Sequence, residues 1–390
     1  MRLLKGVKSG VPNTIKDSIR QVMPKDVWAY IRAYTKPLKL YETDRFTFYP
    51  VLQDPPVIFT TAGRSLGNVF YMARSLEGVP AKFVVAFHRQ INEWRAHFLD
   101  RQVQAFRRRH KACDLTILTP DAEEKKRVEA ITNANVRLIN KNAFTREDEF
   151  QLQRQGQKKY DAIMNARMRR FKRIELARRV NSLAMITVVD DEDYFDKVRS
   201  TLNGAAWLNF QGGKYTYLSR TEVAAALNRA RTGLILSAVE GTNRASIEYL
   251  LCGLPVVSTP SQGGRDVFFD EDYCAIVEPT AEAVQQGVQR MIARDIPPEY
   301  VREHTLRRVR EHRRRFLELV GELAGRDHGI EVDEWLDRFP RDLKFRCEPE
   351  EFLPFLRSDY FDGGAPAHTS AAELRNENPE KWSEITGRPA

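Results

Sequence analysis

Glu240 and Glu248 stand eight positions apart in the stretch Ser-Ala-Val-Glu-Gly-Thr-Asn-Arg-Ala-Ser-Ile-Glu that begins at Ser237. Carboxylates accept hydrogen bonds, so the pair suits sugar and ribose hydroxyls and would repel a phosphate. Between them, Gly241, Thr242, Asn243 and Arg244 fall where a loop enters a helix. Unpaired N–H groups and the positive end of the helix dipole make such a junction a good place for a phosphate. Three further residues lie in the first half of the chain. Gly63 and Arg64, in Thr-Thr-Ala-Gly-Arg-Ser-Leu-Gly-Asn, allow close backbone approach and add positive charge near a helix start. The three-glycine spacing of a dinucleotide fingerprint is absent there. His88 follows the apolar run Lys82 to Phe87 and can donate to a hydroxyl or a phosphate from the end of a strand. Asp190-Asp191 is the one place that invites a metal, but Asp191-Glu192-Asp193 reads as a solvated helix start, so no metal is assigned.

The elements that must hold these groups are legible around them. Leu234-Ile235-Leu236 is a buried parallel strand. Ala245, Ile247, Leu250 and Leu251 are spaced for one buried helix face. Gly253 and Pro255 end that helix, and Val256-Val257 is the next strand. The result is a βαβ unit with its loop at the carboxyl edge of a sheet, where open α/β sheets bind ligands. Similar strand–helix alternation recurs upstream: strands at Val57 to Phe59, Lys82 to Phe87, Leu115 to Leu118 and Val136 to Asn140, with a basic helix near 93–111. Further strands are predicted at Tyr160 to Met164, Met185 to Val189 and Trp207 to Phe210, and helices at Thr280 to Ala293 and Glu299 to Leu323.

The spacing Glu-x7-Glu, followed by Cys-Gly-Leu-Pro-Val-Val and Gly-Gly, resembles the nucleotide-sugar motif of family-4 (group 1) glycosyltransferases with the GT-B fold. The run Asn165-Ala166-Arg167-Met168-Arg169-Arg170-Phe171-Lys172-Arg173 resembles the same family's Gly-Arg-Leu-x-x-x-Lys-Gly loop, with Ala166 and Arg173 in place of its glycines. The resemblance covers roughly residues 110–295 and is strong at 160–175 and 234–266. It implies an α/β architecture of two Rossmann-like domains facing each other across a cleft. It also implies transfer of a sugar from a UDP- or GDP-sugar to an acceptor hydroxyl, with retention of configuration and without metal or other cofactor. By position, Arg167 and Lys172 would hold the diphosphate, whose growing charge two fixed cations stabilise most in the transition state. Glu240 would meet the donor sugar, Gly241 to Arg244 would offer N–H groups, and Glu248 would bind the ribose. His88 matches a cleft histidine of many family members, and Gly63 and Arg64 a glycine-containing loop that faces the cleft. The usual Glu-Gly-Phe-Gly is Glu-Gly-Thr-Asn in this chain, which bears on the donor sugar. The alternatives are a GT-B sugar-nucleotide epimerase and a non-catalytic GT-B module that binds glycans or protein partners.

With 390 residues the chain can bury two cores. The expected division is a basic helical segment at 1–45, an acceptor-side domain at 46–150, a nucleotide-sugar domain at 151–325 and an extension at 326–390 whose end is mobile. Thr145 to Lys159 reads as a linker helix or exposed arm. There is no apolar run of about 18 residues and no signal-peptide core, which predicts a cytoplasmic protein. Cys113, Cys252, Cys274 and Cys347 form no close pair, against a zinc site or disulfide framework. The net charge of +9 admits nucleic acid, an anionic membrane surface or phosphorylated substrates. No nucleic-acid-binding signature is present, and the expected partners are the nucleotide-sugar and a glycan or glycolipid acceptor, at the inner face of a membrane. The amphipathic stretch Thr14 to Arg32 and the arginine-rich helix near 299–323 are the candidates for membrane contact; the alternative is packing on the first domain for the former and a solvated charged face for the latter.

Overall fold

The computed structural model describes residues 24–38, 45–153 and 157–390. The first sheet is built from β1 (Phe46–Gln53), β2 (Pro56–Ala62), β3 (Ala81–Phe87), β4 (Cys113–Thr119) and β5 (Asn135–Leu138). From β2 to β5 the strands are parallel, joined by crossover helices α2 (Gly67–Ser75), α3 (Glu93–Arg109) and α4 (Ala122–Ile131). An additional helix, α1 (Lys25–Thr35), precedes them in sequence. Runs such as Val57-Ile58-Phe59 and Phe83-Val84-Val85 are apolar throughout because helices cover both faces of a parallel sheet. Asn92 and Asp121 cap the starts of α3 and α4 by accepting backbone N–H bonds from Arg95 and Glu124.

The second sheet comprises β6 (Tyr160–Asn165), β7 (Leu183–Ile186), β8 (Ala206–Trp207), β11 (Ala230–Ile235), β12 (Val256–Ser258) and β13 (Cys274–Ile276). All its pairings are parallel, in the order β13-β12-β11-β6-β7-β8. A small hairpin, β9 (Phe210–Gln211) with β10 (Lys214–Tyr215), lies beside this sheet and does not line the main cleft. The helices of this lobe are α5 (Glu192–Thr201), α6 (Arg220–Asn228), α7 (Arg244–Leu251), α8 (Ala281–Ala293) and α9 (Pro298–Ala324). Two Rossmann-like lobes therefore face each other, as the family resemblance implies.

The stretch 145–153 is neither a helix nor an exposed arm: Thr145 and Phe150 are buried, because α9 grips it. Arg313, fully buried, donates to the carbonyls of Ala143 and Thr145 and pairs with Glu147, and Arg302 donates to Glu147 and Phe150. Arg308 likewise pairs with Asp270, and Arg314 and Arg315 with Glu311. Much of the α9 charge is thus spent on tying the lobes and on its own surface.

The C-terminal residues pack back on the first lobe. β14 (Phe345–Cys347) pairs antiparallel with β1 and completes the first sheet in the order β14-β1-β2-β3-β4-β5. Phe345, Phe352 and Phe361 bury their rings against Phe46, Phe48 and Tyr49, and Phe355 packs on Phe345. The end of the chain is also folded. Helices Ala371–Glu377 and Pro379–Thr386 form, because Leu374 and Trp382 supply an apolar anchor that the polar composition conceals. β1 and β14 were both missed in the sequence, where 46–53 borders the segment with no clear pattern.

The N-terminal segment is described only from residue 24. There α1 packs on α3: Arg101 donates to the carbonyls of Ala33 and Lys36, and the Arg32 guanidinium lies 4.4 Å over the Trp94 ring. The rest of the amphipathic stretch, Thr14 to Met23, lies outside the described residues. Among the described residues, no helix is long and apolar enough to cross a membrane.

Candidate active site

A cleft of about 400 Å³ opens between the two sheets. From the second lobe it is lined by Arg167, Lys172, Glu240, Thr242, Asn243, Arg244 and Glu248, and from the first by His88. Eight of the side chains singled out in the sequence thus share one space. Gly241 lines an adjoining cavity instead. Gly63 and Arg64 are exposed in the turn after β2 and line neither cavity.

Local chemistry fixes the geometry. Asn243 caps α7, its side chain accepting from the Ala245 N–H at 3.1 Å, so the helix starts facing the cleft. Asn142, from the segment that crosses between lobes, donates to the carbonyls of Thr242 and Asn243 and holds the loop from the opposite side. Behind the loop, Arg265 is wholly buried and donates to the carbonyls of Ser237 and Thr259, joining the carboxyl ends of β11 and β12. Position 173, where the family motif has glycine, keeps the left-handed backbone that glycine favours, at φ 51°, ψ 43°. An arginine holds it there through bonds to the Leu236 carbonyl and Thr259 hydroxyl, both 2.7 Å.

Lys172 and Glu240 form an ion pair, with both side chains close to 12–13% exposed. Asn243 also donates to Glu240, at 3.3 Å. Arg167 is more open and shares Asp190 with Arg169, at 3.1 and 2.6 Å. Asp190 and Asp191 thus part company: the second caps α5 by accepting from the Tyr194 N–H. Arg244 pairs with Asp342 at 2.8 Å.

Glu248 is buried on the flank of α7, and burial is the main reason its pKa is pushed up to about 7. Arg244 opposes that rise and Asp342 adds to it. Its contact to the Asn165 amide is long, at 3.5 Å. The His88 ring is open to the cleft but crowded by its walls. Desolvation first, then the charges of Lys141, Lys344 and Arg244, lower its pKa to about 4. Its Nδ1 lies 2.9 Å from the Lys141 side-chain nitrogen, within hydrogen-bond distance. Burial likewise brings Lys141 down to about 7.

Lys141, Asn142, Asp342 and Lys344 are cleft residues that motif reading missed. The first two sit in Ile139-Asn140-Lys141-Asn142-Ala143-Phe144, which resembles the family's hinge and offers a weak signal. The other two come from the C-terminal turn, where Asp342 and Leu343 both take left-handed backbone, φ 59° and 48°. Nothing in the sequence joins that turn to the cleft, because only the β1–β14 pairing brings it there.

No protein-family model matches the sequence, and no curated protein matches it. Solved structures do share its architecture. A sucrose-phosphate synthase from Thermosynechococcus elongatus superposes with a TM-score of 0.51 at 14% identity, over 68% of this chain and 72% of that one. TarM superposes at 0.50 with 14% identity, over 67% of this chain and 54% of its own. The fold is GT-B. In this GT-B chain the cleft lies where the two lobes meet, at the carboxyl ends of β3, β6 and β11.

The loop that carries Glu240 has one tightly constrained neighbour. Gly263 has φ 103°, and a Cβ there would lie 1.8 Å from the Glu240 carbonyl oxygen. Gly263→Ala is expected to displace Glu240 and cut turnover at least tenfold. The left-handed φ alone costs about 1–3 kcal/mol, and the 1.8 Å contact is relieved only by moving the Glu240 backbone. Parental turnover in this variant would show that the loop position is not needed.

Proposed function

We propose that this chain is a glycosyltransferase that moves a sugar from a nucleoside-diphosphate donor, UDP- or GDP-linked, to an acceptor hydroxyl. The observation that carries this reading is the convergence of two cations, two carboxylates and a helix start on one interlobe cleft. The GT-B likeness to a sucrose-phosphate synthase supports the reaction class. Arg167 and Lys172 take the diphosphate, with N–H groups at the start of α7 beside them. Glu248 takes the ribose hydroxyls. Lys172 is paired with Glu240, so in this reading donor binding exchanges that carboxylate for a phosphate and frees Glu240 for the sugar hydroxyls. Retention of configuration follows in this reading from attack on the face of the leaving phosphate, which accepts the acceptor proton; no metal is required.

Calorimetry with UDP, GDP and dTDP, followed by turnover of the corresponding sugars with and without acceptor mixtures, tests the proposal. Binding of one nucleotide diphosphate at micromolar Kd and acceptor-dependent release of it are expected. Absence of nucleotide binding would overturn it, and donor consumption without acceptor would favour an epimerase.

A further inference from the structure

A second cavity, of about 510 Å³, adjoins the cleft and shares two of its residues, His88 and Glu240. Between the cavities Gly241 lies against the backbone of His88 and Arg89, where a Cβ would come within 2.9 Å of the His88 carbonyl oxygen. The lobes therefore touch at this bridge, with one cavity on each side. If the cleft holds the donor, its sugar lies near Glu240, and a molecule in the second cavity meets it there. This step rests on the function proposed above.

The charge of the second cavity is one-sided. Arg89, Arg95 and Arg169 line it, with Glu240 as its only carboxylate among the described residues, and Glu240 is already paired with Lys172. Arg89 has no carboxylate within ion-pair distance among the described residues, and Arg169 shares Asp190 with Arg167. Arg95 spends one N–H on the Gln90 carbonyl, and its Nε is buried without a hydrogen-bond partner. After burial, the charges of Arg89, Arg64 and Arg32 are what lower the Arg95 pKa, with Glu124 opposing them. Arg64, which the sequence suggested for the donor, thus contributes to this field. Guanidinium groups that outnumber the nearby carboxylates repel one another, and a bound anion relieves that repulsion while accepting bidentate bonds. Phe171 and Val239, both partly exposed, give the same cavity an apolar wall against which a sugar ring can rest.

We propose that the second cavity is the acceptor site and that the acceptor is an anionic sugar, carrying a phosphate or carboxylate held by Arg89 and Arg95. Its hydroxyl then faces the donor at His88 and Glu240. Calorimetry on the full chain saturated with UDP tests this, with glucose 6-phosphate, glucuronate and glucose as probes. At least one anionic sugar is expected to bind ten or more times tighter than glucose, and which one does so separates phosphate from carboxylate. Arg89→Ala and Arg95→Ala should each weaken that binding about 10- to 100-fold and leave UDP affinity within twofold. Normal UDP binding with no preference for either anionic sugar, or a preference that survives both substitutions, would overturn the acceptor assignment. Loss of UDP binding in the parent chain would instead overturn the function on which it rests.

Discussion

Lys172→Ala is expected to lower the rate of sugar transfer by about 10²- to 10³-fold, the usual effect of removing one group that stabilises developing charge. UDP affinity should fall by less, about tenfold, because a ground-state diphosphate already carries much of its charge and keeps Arg167 and the α7 start. The substitution also leaves Glu240 without its ion-pair partner in a largely enclosed setting, which by itself costs stability. A second variant separates the effects. In Lys172→Ala with Glu240→Gln the unpaired charge is gone, so Tm should return toward that of the parent while turnover stays low. Steady-state kinetics and melting curves on the two variants provide the check. Turnover of the single variant within threefold of the parent would mean that Lys172 does not contact the leaving group.

How much of this was legible in the sequence depends on how local each signal is. Strand β11, helix α7 and strand β12 lie within thirty residues, and their apolar spacing and the Gly253 stop determine them almost alone; Gly253 indeed has φ 69°. The same holds for the loop at 165–173, though its left-handed position is filled by Arg173 and would not be suspected from propensity. The long-range features were hidden for a physical reason. β14 is three residues long and gains its strand conformation from β1, almost 300 residues earlier, so no period marks it. Lys344 and Asp342 enter the cleft as a consequence of that pairing. Lys141 was in view but unread, since its role depends on His88 being 2.9 Å away on another strand end. Arg302 and Arg313 looked like a solvated face because helical period shows which residues share a side, while the partner that covers that side is set by tertiary packing.

Glu248→Gln should weaken UDP binding about 10- to 100-fold and at the same time make the ligand-free chain more stable. The loss follows from replacing a carboxylate that accepts from two ribose hydroxyls by an amide that accepts less well; 2′-deoxy-UDP, lacking one of those hydroxyls, should then bind parent and variant more nearly alike. The gain follows from burial. Glu248 has a folded pKa near 7 against an ordinary 4.5, so the folded state holds its proton over a range in which the unfolded chain has lost it. Unfolding therefore releases a proton between those values, and stability falls as pH rises from 4.5 through 7. The cost is fully present above pH 8, on the order of 3 kcal/mol, and fades out as pH falls below 4.5 and the unfolded chain takes up the proton too. Gln carries no charge to desolvate, so the variant should melt about 5 °C above the parent at pH 8 and together with it near pH 4. A Tm difference that does not change with pH would show that burial of the charge is not what the cleft pays. A stable variant that binds UDP as the parent does would remove Glu248 from the ribose site.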